Sequence, residues 1–132
     1  MKNIKSIFGL VILFLIISIQ VRAQQVIIID VAPHVLNLNN QGEVVTVHTD
    51  ISYASVDFET VTLNDIIIKS WKSDDRGFFV AKFLMEDVKE LEGLILGGMN
   101  TLKLVGTTTD GENFTGTQDI MVINNIPEKK GR

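Results

Sequence analysis

Apolar and polar side chains alternate in short bursts from Val26 to Ile123. In Glu43–Ile51, Val45, Val47, Thr49 and Ile51 fall on one side, with Val44, Thr46, His48 and Asp50 on the other. A period of two is what a strand with one buried face requires. Phe78–Leu84 is the most aromatic burst; the same period places Phe79, Ala81 and Phe83 on one face and Val80 on the opposite, outward face. Val61 and Leu63 are in phase within Asp57–Leu63. Further strands are predicted over Val26–Val31, Ile66–Trp71, Thr101–Thr109 and Phe114–Ile123.

Turn residues separate these bursts. Asn39-Asn40-Gln41-Gly42 and Asn64-Asp65 combine residues that tolerate positive φ or bond their own backbone. Ser73–Gly77 is a polar loop, and Asp110-Gly111 between two alternating runs is a hairpin signal. Pro33 closes the first run, which suits an edge or a strand that changes sheet. One segment breaks the pattern. In Glu86–Leu96, Val88, Leu91 and Ile95 recur at helical spacing, with Glu86, Asp87 and Glu90 toward the N-terminal end and Gly97-Gly98 after it. A short helix bridging two strands is predicted there.

About seven short strands and one bridging helix in about 100 residues predict an all-β, immunoglobulin-like β-sandwich over residues 24–125. Residues 126–132 are predicted to be a frayed tail. The 23 residues before the domain have a different character. Lys2 and Lys5 precede the apolar run Ile7–Ile19, and Val21-Arg22-Ala23 then offers small or modest residues at the −3 and −1 positions of a signal peptidase site. At about 1.5 Å per residue that run covers roughly 20 Å, short of the roughly 30 Å of a bilayer's hydrocarbon. A cleaved leader is therefore expected rather than an anchor, and with it a secreted or periplasmic location.

Charge and composition narrow the role. Removal of Lys2, Lys5 and Arg22 takes the formal charge from −4 for the chain to −7 for residues 24–132. An acidic domain without a basic cluster argues against nucleic acid, and against a membrane partner once the leader is gone. With no cysteine in the chain, disulfides, thiol catalysis, Cys-ligated zinc and acylation at a cysteine are excluded, so the apolar core alone must hold the fold.

Several segments in order carry a resemblance: Leu36-Asn37-Leu38-Asn39, Thr60-Val61-Thr62-Leu63-Asn64, Val80-Ala81-Lys82-Phe83, Thr101–Gly106, Asp110-Gly111, Phe114-Thr115-Gly116 and Asp119–Ile123. Together, over Pro33–Ile123, they resemble an immunoglobulin-like β-sandwich module that recurs in secreted and surface proteins of bacteria and archaea. The resemblance implies a non-enzymatic accessory module and names no ligand. Related modules often carry an Asp-rich loop before the strand equivalent to Phe78–Leu84; here only Ser73-Asp74-Asp75-Arg76-Gly77 stands there.

Candidate chemistry is sparse. Asp74 and Asp75, with Asp110 or Asp119 if the fold brings them near, are the only calcium candidates, and Ca²⁺ needs six to eight oxygens. His34 and His48 are the only histidines and suggest no third ligand for a transition metal. Glu86, Asp87, Glu90 and Glu92 crowd one helix instead of facing across a cleft as a glycosidase pair does. No Gly-x-Ser-x-Gly elbow or phosphate-binding glycine loop occurs. Trp71 and Tyr53 are the only Trp and Tyr that could stack on sugar rings. Asn113-Phe114-Thr115 fits a glycosylation sequon beside a turn.

The expectation is thus a non-enzymatic module with no catalytic residue, metal or cofactor. Its role is structural or interactive in the cell envelope or extracellular space, with a protein or glycan partner; a carbohydrate-binding or adhesion module and an unrecognised enzyme are the alternatives. Processing can be checked directly: intact-mass analysis of the exported protein should show a chain beginning at Gln24, whereas full-length chain in detergent extracts would mean an anchor.

Overall fold

The two longest strands, β9 (Gly98–Thr108) and β10 (Asn113–Ile123), meet at the Asp110-Gly111 turn and pair antiparallel from Gly98↔Val122 to Thr107↔Asn113. The computed structural model describes residues 24–126, so the expected leader, its expected cleavage position and the expected tail lie outside the described residues. Around this hairpin stand β1 (Gln25–Val26), β2 (Ile29–Ala32), β3 (Val35–Asn37), β4 (Val44–Ser52), β5 (Val56–Leu63), β6 (Ile66–Ile67), β7 (Ser70–Ser73), β8 (Phe78–Leu84) and the helix α1 (Met85–Lys89).

One sheet runs β1-β10-β9-β5-β6, with β3 also on β10, and the other runs β2-β4-β8-β7. The all-β sandwich is as expected, with ten strands among the described residues where about seven were predicted. The added strands come from segments that change sheet. Val26–Val31 splits into β1, parallel to β10, and β2, antiparallel to β4, and β3 returns to β10 beyond Pro33. Ile66–Trp71 splits likewise, β6 pairing with β5 and β7 with β8.

Two glycines of β9 and β10 allow close approach. An ideal Cβ on Gly106 would lie 2.6 Å from Cζ of Phe114, its cross-strand partner, so the ring occupies the space of the missing side chain. A Cβ on Gly116 would lie 2.7 Å from Cγ2 of Ile29 and 3.0 Å from the Ile27 carbonyl. Here the N-terminal segment crosses from one sheet to the other. The Val31 N–H donates to the Gln118 side-chain oxygen, which supplies the bond that a strand neighbour would otherwise give.

The core follows the predicted phase. Val45, Val47, Thr49 and Ile51 are buried, as are Phe79, Ala81 and Phe83 opposite Val61, Leu63, Leu102 and Leu104. Thr49 is the polar member. The β4–β8 register shifts between His48 and Ser52, and the Thr49 hydroxyl donates to the Phe79 carbonyl at 2.6 Å, satisfying a buried acceptor at the irregularity.

Two expectations need correction. The helix ends at Lys89, short of Leu96, because Gly93 and Gly97 take positive φ and Leu91–Leu96 forms turns instead. Val80 does face outward from the core, yet it is fully buried. It sits in the middle of its sheet between the cross-strand partners His48 and Lys72, and long amphipathic side chains on flanking strands cover an apolar one at little cost.

Both faces of β8 therefore contribute to stability. Phe83→Ala should cost about 3–5 kcal/mol. Val80→Ala, which removes two methyl groups at about 0.8 kcal/mol each, should cost about 1.5 kcal/mol instead of the near-zero value of an exposed valine. Urea denaturation of the two variants measures the ratio; a negligible cost at Val80 would show that its cover is loose.

Candidate functional site

Three surface regions bring together side chains with chemical potential. The first lies at the end of the β1–β6 sheet where β9 begins. Two asparagines shape it. β5 ends at Leu63, opposite Leu104, and the chain turns back through Asn64 and Asp65, both at positive φ, into β6. Asn64 extends the ladder one step further. Its N–H donates to the Lys103 carbonyl at 3.0 Å, its Oδ1 accepts from the Lys103 N–H at 2.6 Å, and its Nδ2 donates to the Thr101 carbonyl at 3.3 Å.

Asn100, buried on the core side of β9, does the same for the approach to the strand. Its Oδ1 accepts from the Ile95 N–H at 2.7 Å, and its Nδ2 donates to the carbonyls of Ile95 and Gly98. These bonds tie the loop that displays Ile95 and Leu96 to solvent to the start of β9. Asn64, Asp65, Leu91, Glu92, Thr101, Lys103 and Val105 line an open groove of about 800 Å³ beside it.

On the outer face of the same end, Val35 of β3, Met121 of β10 and Met99 of β9 are direct cross-strand partners. They form a continuous apolar row across three strands, with Val35 49% and Met99 53% exposed. Sequence periodicity had no means of finding this row, since each residue alone is an ordinary outward apolar position and only the register joins them.

The second region is the outer face of the β2–β7 sheet. Asp30 and His48 are cross-strand partners, and His34 Nε2 lies 2.8 Å from Asp30 Oδ1. The bond from His34 holds the Asp30 carboxyl below the usual carboxylate range, and the Gln118 side chain adds to the effect. Asp30, His48 and Asp50 line an open depression of about 360 Å³ with Arg76 at its rim. The two histidines are thus close to one carboxylate, a proximity that their separation in sequence hid. Among the described residues, no three His, Asp or Glu side chains converge as a metal-ligand set.

The third region is the β7–β8 connection and the aromatic edge beside it. Asp74 Oδ1 accepts from the N–H groups of Arg76 at 2.8 Å and Phe78 at 2.9 Å, and its Oδ2 lies 3.6 Å from the Arg76 guanidinium. Arg76 also sits over the Phe78 ring, 5.1 Å from its centroid. Asp74 is therefore a turn-forming side chain with its lone pairs directed at backbone. Asp119, on the far sheet, accepts from the Thr101 hydroxyl at 2.5 Å.

Trp71 and Tyr53 belong to one aromatic cluster, with Phe58 between them at centroid distances of 5.2 and 5.1 Å, and Phe58 also stacks on Phe79 at 5.9 Å. The Phe58–Trp71 contact joins β5 of one sheet to β7 of the other, and Trp71 stays 41% exposed. Phe114 of the sequon is a core residue, while Asn113 is exposed at the start of β10. Glu86, Asp87 and Glu90 lie exposed along and just after α1, and Glu92 is a wall of the groove beside Lys103.

No family model, no curated protein and no solved structure matches this chain.

The Asp74 geometry sets a pH dependence. The Phe78 N–H, then that of Arg76, and the Arg76 charge lower its pKa in the folded state. The stabilisation is therefore complete above the unfolded carboxylate value of about 4 and is lost as pH falls through the lower folded value. Asp74→Ala should lower Tm at pH 7, and the difference from wild type should shrink as both are melted toward about pH 2. A difference independent of pH would show that the charge of Asp74 has no part in the turn.

Proposed function

We propose that the chain is an exported, non-enzymatic β-sandwich module that acts by contact with another protein in the cell envelope or extracellular space. The observation that carries this reading is the Val35–Met121–Met99 row. It is an apolar strip joined across three strands, next to the loop that the buried Asn100 bonds, where Ile95 and Leu96 point outward. Exposed apolar groups held rigidly and grouped together favour association. Methionine suits such a surface because its unbranched, polarisable side chain adapts to the partner's shape.

The leader, the absence of cysteine and the acidic domain are compatible with a role outside the cytoplasm. The resemblance to a secreted accessory module supports the same reading. The aromatic cluster favours packing over glycan binding, because Phe58 stacks on both Trp71 and Phe79 and packs at a tilt against Tyr53.

A photo-crosslinking residue at position 99, in the full chain expressed with its leader in the native host, should yield one discrete adduct. The same probe at position 82, on the outer face of the opposite sheet, should not. Equal or absent crosslinking at the two positions would overturn the interaction role assigned to this face.

A further inference from the structure

The register leaves one stretch of an interior strand without a neighbour. In an antiparallel ladder, successive residues turn their N–H and C=O groups alternately to the two sides. On β9, both backbone groups of Lys103 face Asn64, so the odd-numbered residues face the β5 side and the even-numbered ones face β10. The far side of β10 agrees: Met121 donates to the His34 carbonyl of the β3 side, and Gly97 donates to the even-numbered Val122. Thr101 and Met99 therefore present their backbone groups where β5 would continue, but β5 has already turned away at Asn64-Asp65. The Thr101 carbonyl takes the Asn64 amide. Among the described residues, the Thr101 N–H and both backbone groups of Met99 have no hydrogen-bond partner on that side.

We propose that this open edge of β9 is a β-addition site, taking an extended segment of a partner protein as a further strand in line with β5. The inference rests on the interaction role above and specifies its mode. Main-chain bonds from an added strand supply affinity, and side chains alternating along it supply selectivity. The adjoining groove, lined by Asn64, Asp65, Leu91 and Glu92 together with Thr101 and Lys103, gives the segment its place.

The row on the outer face defines its chemistry. An added strand places one outward side chain beside Met99, so that Val35, Met121 and Met99 gain a fourth member, and that residue must be apolar. The next outward position falls near Thr101 and Lys103, with Glu92 and Asp65 on the walls, and must be polar. The partner is thus an extended segment alternating apolar and polar side chains.

Amide exchange tests the edge directly. In the free mature protein the amides of Asn100 and Leu102 should be protected by β10, while those of Met99 and Thr101 exchange quickly despite lying mid-strand. Phage-displayed linear peptides selected on the mature protein should protect both exposed amides when bound. Thr101→Pro removes an N–H that faces no strand, together with the hydroxyl bond to Asp119, and the folded variant should bind the selected peptides about tenfold more weakly, the effect of one ordinary hydrogen bond.

Should the proline variant misfold, protection of Met99 and Thr101 in the wild-type complex still decides. The proposal is overturned by protection of those amides in the free protein, by failure to select any peptide, or by peptides that bind elsewhere. Protection that rises with protein concentration alone would overturn it in favour of a second copy of this chain. A crosslink at position 99 in the host together with any of these would leave the interaction role standing and remove only strand addition.

Discussion

The unbroken pairing of β9 with β10 is the constraint on which the remaining structure depends. Ten consecutive residue pairs join them. β10 then offers its other edge to β1 at one end and β3 at the other, and β9 offers its own to β5. The second sheet has no comparable spine. It is positioned by what it buries, Phe79 and Phe83 against Leu102, Leu104 and Phe114. With no cysteine to form a disulfide, the apolar contact between the sheets is the main counterweight to the chain's conformational entropy. Gly106 and Gly116 matter for that reason, since a side chain at either would lift Phe114 or the crossing N-terminal segment away from the spine.

Polar side chains with potential for chemistry are largely engaged as backbone surrogates. Asn64 stands in for the next residue of β5, Asn100 for a strand beside Ile95, and Gln118 for a neighbour to Val31. Asn37 accepts from the Asn39 and Asn125 N–H groups and donates to the Asn125 carbonyl, tying the exit of β10 to the loop after β3. Asp74 organises its turn in the same manner. The surface that remains is shaped by where such substitutions stop, which is why the open edge of β9 begins just past Asn64.

Strand phase was legible wherever one face is buried and the other wet. Val45 to Ile51 and Phe79 to Phe83 read correctly because burial imposes the period of two. The changes of sheet were not legible: nothing in Ile66–Trp71 marks that Ile67 and Ser70 belong to different sheets. Val80 misled because an outward position in the middle of a sheet can be covered by its neighbours, and the neighbours depend on pairing. The helix was overextended because, of the series Val88, Leu91 and Ile95, only Val88 lies in it, while Leu91 is half-buried and Ile95 exposed in the turns that follow. Of the candidate region, the Asn64-Asp65 turn was visible in the sequence. The Val35–Met121–Met99 row and the proximity of His34, His48 and Asp30 were not, because both exist only through register.

The order of strands around β10 also bears on when the molecule becomes a folded object. The first and third strands to emerge from the ribosome both pair with the last one made. Neither can dock until residues 113–123 are available, so nearly the whole length of the chain separates the partners and closure is delayed by loop entropy. For the export proposed above, this delay would be useful. β1 and β3 stay unpaired until then, and the sheet they belong to closes only when the final strand is in place.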